Sequence, residues 1–382
     1  MEKKIILVCG EPSGDLQAGL LATRLKELDP ELRILAVGGE HLRRAGAEIF
    51  HDIKNLSVLG FFDAVRKLGD FKALMRLVLD KIEEARPQAV IFVDFSGFNL
   101  RLAKKINKRV KTIYYISPQA WASRPGRVET IRRYIDKLIV IFKFERDFYA
   151  RFGVEAEFIG HPLLDIIKPS LPKEEALRMF GLNEGYPIFA LLPGSRVSEI
   201  KAILPVMLQS ALLIKEKIPR AQFIISKPAS LDNALYKKIL ASSSREEIKL
   251  IEARQYDCLN VADFVLVASG TATLETAIMQ KPNVVIYKMG WLNYLLYRPL
   301  VRIPFIGMEN IVAGRIIAPE FIQSMAKPRL IADTILGIFQ DKEKLLKMRE
   351  DFLEVKEQLG EPQAPLRAAQ SILTFLVLGV SS

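Results

Sequence analysis

Cysteine is almost missing from this chain: Cys9 and Cys258 are the only two among 382 residues, far apart and outside any CxxC pattern. Neither a disulfide framework nor a zinc site therefore organises the fold. Histidine is nearly as scarce, with only His41, His51 and His161, and no DxD-like carboxylate pair is present. A metal-dependent mechanism is not expected, and no metal or other cofactor is assigned. No run approaches the roughly 18 apolar residues of a membrane span. The opening MEKKIILVCG has too short an apolar stretch for a secretory signal and reads as a first strand, so a cytoplasmic location is expected. RNA-binding aromatic motifs, zinc fingers and basic zippers are also lacking, and nucleic acid is not an expected partner. The loops carry neither the Gly-Lys-Ser/Thr ending of a P-loop nor a GxGxxG fingerprint, which disfavours ATP and NAD.

What is abundant is apolar sequence in short runs, half of all residues being hydrophobic. KIILVC, RILAVGG, AVIFVD, TIYYIS and KLIVIF alternate with helix-like periods, and PIFALL, AQFIIS, IKLIEA, DFVLVAS and NVVIYKM do the same further on. Such alternation predicts βαβ units and parallel sheets. EFIGHP and the Pro-bearing KPSLPKEEA separate the two sets, so the fold class is α/β with two Rossmann-like domains, 1–165 and 166–345. The pattern turns helical from about Arg329, and residues 346–382 are expected to pack back on the first domain or on a partner subunit, a homodimer being one arrangement. Ligands of such sheets sit beyond the strand C-termini, which would put a site in a cleft between facing domains.

Two strand–turn–helix junctions in the second half carry the sharpest chemistry. LLPGSR ends in Gly194, Ser195 and Arg196, and LVASGTATLE runs through Ser269, Gly270 and Thr271 to Glu275. Tight glycine turns before a helix present backbone N–H groups and a positive dipole end to an anion. Arg196 suits a pyrophosphate and Glu275 a sugar hydroxyl, a combination fitting a nucleotide-sugar. In the first half GEPSGD supplies Glu11, Ser13, Gly14 and Asp15, with Ser13 and Asp15 equally good as helix caps. VDFSGFN puts Asp94 at a strand tip, where a general base belongs, and Asn99 in the next helix. YYISPQAWASR presents Trp121 in an exposed-looking loop, and FIGHP offers His161, for which a structural hydrogen bond is the stronger reading.

Charge is uneven. Residues 101–151 hold fourteen Lys/Arg against four Asp/Glu, within a whole-chain net charge of +11. Part of this is solvated helix surface, but a basic face of that density also implies an anionic partner, phosphate or membrane. Residues 55–82 interleave Phe61, Phe62, Val65 and Phe71 with Arg66, Lys67, Lys72 and Arg76. A stripe at helical spacing is usually core, yet two adjacent Phe beside a basic flank point to an interfacial or acyl-binding role.

GEPSGD, NLSVLGFFDAV, VDFSGFN, ISPQAWASR, FIGHPLLD, LLPGSR, SGTATLE and MENIVAGR follow one another as in the lipid-A-disaccharide synthases, which the chain resembles from residue 4 to about 320. The resemblance implies a metal-independent, inverting glycosyltransferase of the B type. It implies UDP-2,3-diacylglucosamine as donor, 2,3-diacylglucosamine 1-phosphate as acceptor, and the β-1,6 disaccharide 1-phosphate and UDP as products of lipid A biosynthesis. Acylated substrates imply a peripheral place on the anionic cytoplasmic face of the inner membrane. By the same resemblance Glu275 would hold the ribose, while Asn310, with a turn-forming role as its competitor, and Arg315 would orient or neutralise the donor. Some members carry an extra Asp where this chain has Gly97, leaving Asp94 or Glu11 as the base. Another UDP-N-acetylglucosamine transferase or 2-epimerase of the same architecture is the alternative, though it would not need the Phe-rich basic segment.

Overall fold

The computed structural model describes residues 2–54, 64–123, 126–241, 248–290 and 304–378. The chain forms two compact units, Met1–Asp165 with Leu359–Ser382 and Ile166–Gln358.

In the first unit β1 (Lys4–Val8), β2 (Arg33–Gly38), β3 (Glu48–Asp52), β4 (Ala89–Val93), β5 (Lys111–Tyr115), β6 (Lys137–Val140) and β7 (Glu157–Phe158) make one sheet. Their order is β3-β2-β1-β4-β5-β6-β7, and every pairing is parallel. KIILV and AVIFV are apolar without alternation because both sheet faces are covered. Ile6 sits level with Leu35 on one side and Val90 on the other, all three deeply buried. The strand order reverses between β1 and β4, so the loops after these two strands flank the crevice where such sheets bind ligands.

The second unit repeats the plan with β8 (Ile188–Leu192), β9 (Gln222–Lys227), β10 (Lys249–Glu252), β11 (Phe264–Ala268), β12 (Asn283–Tyr287) and β13 (Glu320–Ile322). Its parallel order is β10-β9-β8-β11-β12-β13, with the reversal between β8 and β11. Those are the strands that feed LLPGSR and LVASGTATLE. The helix Val197–Lys217 is long and apolar enough to cross a membrane, but its Ile200, Ile203, Leu204, Met207, Leu208 and Ile214 are core residues of this unit.

The ten apolar runs are all strands. The sequence reading left out β3, β7 and β13, three of the four outer strands of the two sheets. Edge strands need less burial, and β3 has no fully buried residue.

The C-terminal part divides between the units. Pro328–Phe339 and Lys342–Gln358 stay with the second, whereas Ala364–Leu378 lies on the first beside Pro12–Leu28. Polarity explains the split. Lys342–Gln358 is charge-rich and tied by Asp351 and Glu354 to Arg315, while Ala368, Ala369, Ile372 and Leu376 enter the first unit's core. Exit and re-entry of the chain are bonded together. The Asp165 carboxylate accepts the Ala364 N–H at 3.1 Å, the Leu359 carbonyl accepts the His161 N–H at 2.8 Å, and Arg367 Nε donates to the Ile159 carbonyl at 2.8 Å.

Candidate active site

In the second unit the turns after β8 and β11 enclose a cavity of about 330 Å³. Gly194, Ser195, Arg196, Ser269, Gly270, Thr271 and Glu275 all line it, so residues separated by some eighty positions meet at the switch point. Gly194 has φ +106°, a conformation in which a side chain would be strained, and a Cβ there would meet Glu199 Oε2 at 2.6 Å. Glu199, three residues into the helix, folds back over the turn: its carboxylate accepts the Ser195 and Arg196 N–H groups at 3.2 and 3.3 Å and the Arg196 guanidinium at 2.8 Å. The turn's N–H groups and the guanidinium thus already hold a carboxylate. Arg196 is otherwise free to swing, its side chain being 75% exposed.

Glu275 stands across the cavity on the helix Thr271–Ile278. Gln255 Nε2 and the Tyr256 hydroxyl donate to its two oxygens. Burial pushes its carboxyl above the ordinary range, and the two donors pull it back. Ser269 contributes backbone rather than hydroxyl, because its Oγ donates to the Ile306 carbonyl at 2.8 Å.

Two residues assigned to the donor are placed elsewhere. Asn310 is fully buried, its amide donating to Ala318 O and Glu320 Oε1 and its carbonyl accepting the Ile317 and Ala318 N–H groups, all at 2.8–2.9 Å. Every polar position of the side chain is used inside the domain, so its work is to pin the 306–320 segment. Arg315 is spent on Asp351 and Glu354 and does not line the cavity.

In the first unit the loops after β1 and β4 bring Glu11 and Asp94 together. Asp94 is raised by burial first and by the Glu11 charge second, with the Phe95 N–H and Arg127 acting against the rise. Asp94 and Phe95 both have positive φ, +48° and +46°, which puts the helix Ser96–Ile106 tight against the strand end. Their carbonyl side is tied down: Asp94 O accepts from the Tyr114 hydroxyl at 2.6 Å and from Asn99 Nδ2 at 2.8 Å. Glu11 and Ser13 are exposed. A Cβ at Gly10 would fall 2.3 Å from the Phe95 ring, so this glycine admits that ring.

Several loop residues are structural. Asp15 is buried, its carboxylate accepting the N–H groups of Gly39, His41 and Leu42, and Gly14 is buried beside it. Asn99 is buried with its amide on three carbonyls. Trp121 is not the exposed loop residue expected: its indole N–H donates to Glu145 at 3.0 Å and its ring meets Phe144 edge-on. His161 is buried against Phe142, accepts the Leu163 N–H on Nδ1, and is lowered by burial to about 3, which removes it as a proton acceptor at neutral pH. Phe71 packs its ring on Phe95 and Phe98, at the edge of the core. Phe61, Phe62 and the Val65 side chain lie outside the described residues, as do 291–303.

Two buried carboxyls escaped the sequence reading. Glu145 holds the Ser117 hydroxyl, Trp121 and the Ile141 and Phe142 N–H groups, and burial raises it to about 7. Glu309 is also fully buried and raised to about 7, and neither of its oxygens has a hydrogen-bond partner. The nearby Thr273 hydroxyl is committed to Gly270 O. Among the described residues no group of three His, Cys, Asp or Glu could hold a metal.

A family profile described as Lipid-A-disaccharide synthetase matches residues 5–375. The lipid-A-disaccharide synthase of Syntrophus aciditrophicus is 39% identical over 98% of both chains, and that of Geobacter sulfurreducens 38% identical over 98% of this chain and 97% of the other. Solved structures share the fold. A UDP-GlcNAc 2-epimerase of Neisseria meningitidis bound to UDP-GlcNAc aligns with TM-score 0.61 and 12% identity over 98% of this chain and 100% of its own. A glycosyltransferase of Rickettsia africae aligns with TM-score 0.59 and 13% identity over 98% and 99%. With two parallel α/β units of the B-type glycosyltransferase fold and relatives of this identity along its whole length, the chain belongs to the lipid-A-disaccharide synthetase family and is a glycosyltransferase of lipid A biosynthesis.

Proposed function

We propose that the cavity of the second unit holds the UDP of UDP-2,3-diacylglucosamine and that the first unit presents 2,3-diacylglucosamine 1-phosphate to it. The acceptor 6-hydroxyl oxygen attacks the anomeric carbon as the bond from that carbon to the phosphate oxygen breaks, and UDP leaves with the electron pair. The hydroxyl proton passes to Asp94, whose raised carboxyl is better matched to that task than an ordinary aspartate. Glu11 is the alternative acceptor of that proton. Attack opposite the leaving group inverts the centre and gives the β-1,6 linkage. No bound metal is needed if Arg196 and the first N–H groups of Thr271–Ile278 neutralise the growing charge on UDP.

The observation that carries this reading is the meeting of Arg196 and Glu275 in one cavity, with a helix start between them. Both substrates are acylated, and the basic 101–151 stretch supports a peripheral seat on an anionic membrane. UDP release tests the reaction: it should require both acylated substrates, and UDP-N-acetylglucosamine alone should be neither consumed nor epimerised. Arg196→Ala should lower turnover by about 10²–10³, as loss of one donor to a developing oxyanion does. Its melting temperature should hardly move, given the exposure of the side chain. Normal turnover in that variant would refute the placement of UDP.

A further inference from the structure

Two carboxylates line the cavity of the second unit, and they are used differently. Glu199 is turned onto the Ser195 and Arg196 N–H groups and the Arg196 guanidinium. Glu275 meets no cation among the described residues; its partners are a neutral amide and a neutral hydroxyl. They take one oxygen each. Gln255 Nε2 donates to Oε2, and the Tyr256 hydroxyl donates to Oε1 at 3.2 Å. A carboxylate has about four acceptor positions, so each oxygen keeps one for a further donor. One open position on each of two adjacent oxygens matches a pair of neighbouring hydroxyls better than a single one.

Gln255 and Tyr256 are consecutive, yet only Gln255 lines the cavity. Tyr256 is half-buried and reaches Glu275 from outside that lining. Burial first and the Glu275 charge second push its hydroxyl well above the ordinary phenol range, so it stays a donor to the carboxylate. The helix that carries the pair, Gln255–Val261, has little freedom. Cys258, Leu259 and Val261 are fully buried. Asp257, next to Tyr256, is buried too, and its carboxylate accepts the Ser170 N–H at 2.7 Å, the Leu171 N–H at 3.0 Å and the Ser170 hydroxyl. A donor mounted on so fixed a helix sets the direction in which the Glu275 carboxylate points.

We propose that Tyr256 is a positioning residue for donor recognition: it holds one Glu275 oxygen from outside the cavity, with Gln255 on the other, so that both oxygens accept from the two neighbouring hydroxyls of the ribose. This rests on the placement of UDP proposed above. Affinities of the full chain are measured by calorimetry for UDP and for 2′,3′-dideoxy-UDP, which lacks both hydroxyls. The wild type should prefer UDP by at least about tenfold, the scale of hydrogen bonds to a charged group. Tyr256→Phe keeps the ring and its packing. It should weaken UDP about three- to tenfold, the scale of one hydrogen bond, and leave the dideoxy ligand within about twofold. Glu275→Gln should lose most of the preference, and Tyr256→Phe added to it should then change UDP affinity less than about twofold, because its effect passes through that carboxylate. Equal weakening of both ligands by Tyr256→Phe, no weakening, or additive losses in the double variant would overturn the positioning role and leave the ribose at Glu275. A wild type that binds both ligands equally, or neither, would instead remove the ribose from Glu275, and the proposal with it.

Discussion

The carboxylates differ in what their surroundings ask of them. Asp94 is raised by burial and by Glu11, so it must lose its proton at a higher pH than a free aspartate before it can act as a base. The acid limb of kcat/KM should therefore lie above the ordinary range near 3.9. Glu11→Gln removes a negative neighbour and should move that limb to lower pH; Asp94→Asn should remove about 10²–10⁴ of the rate with donor binding unchanged. A limb that stays put in Glu11→Gln would show that the two do not interact. Glu309 gives the opposite kind of test. Its folded form keeps a proton up to about 7, against 4.5 for the free group. Unfolding therefore releases a proton between those values, and stability falls as pH rises through that window. Glu309→Gln should leave stability near pH 4.5 unchanged and raise it at pH 8 by a few kcal/mol at most, read as melting temperature against pH. Arg196 and Glu275 were legible because a strand, a small-residue turn and a helix start together specify where a side chain must stand. Asn310, Asp15 and Asn99 were not, since Asn and Asp satisfy buried backbone groups as readily as they bind ligands.

At the level of elements, continuous apolar runs revealed every central strand, because a strand covered on both faces has no room for polar residues. The edge strands β3, β7 and β13 were hidden by being short or half-exposed. The 55–82 motif was ambiguous for the same reason in reverse: in the helix Ala64–Ala85, Leu74 and Val78 enter the core and Phe71 packs against it. The last helix is the element whose loss the first unit should feel most. Ile372 is fully buried in that unit's core, and Ile372→Ala should cost about 2–5 kcal/mol there. Chemical denaturation should show the loss in one of two transitions while calorimetric UDP affinity, which the proposed function places in the other unit, stays as it was. A weakened UDP affinity would contradict the division of the chain into these units.

For the molecule as a whole, the net charge of +11 sets how it meets anionic surfaces. Binding to vesicles containing acidic lipid should weaken steeply between roughly 0.05 and 0.5 M salt, as the screening length shrinks to a few ångströms. Salt-independent binding would assign the attachment to apolar insertion alone. The return of Leu359–Ser382 to the first unit has another consequence, one that concerns the order of events during synthesis. The first unit takes its strands from residues before 165 but borrows Ala368, Ala369 and Ile372 for its core, so its apolar face beside Pro12–Leu28 stays uncovered until the helix Ala364–Leu378 has left the ribosome. The second unit, complete by Gln358, has all its own strands before then. Of these two units the one made first should be the one that finishes last, and a nascent chain stalled before Ala364 has emerged should be a substrate for chaperones at the Pro12–Leu28 face.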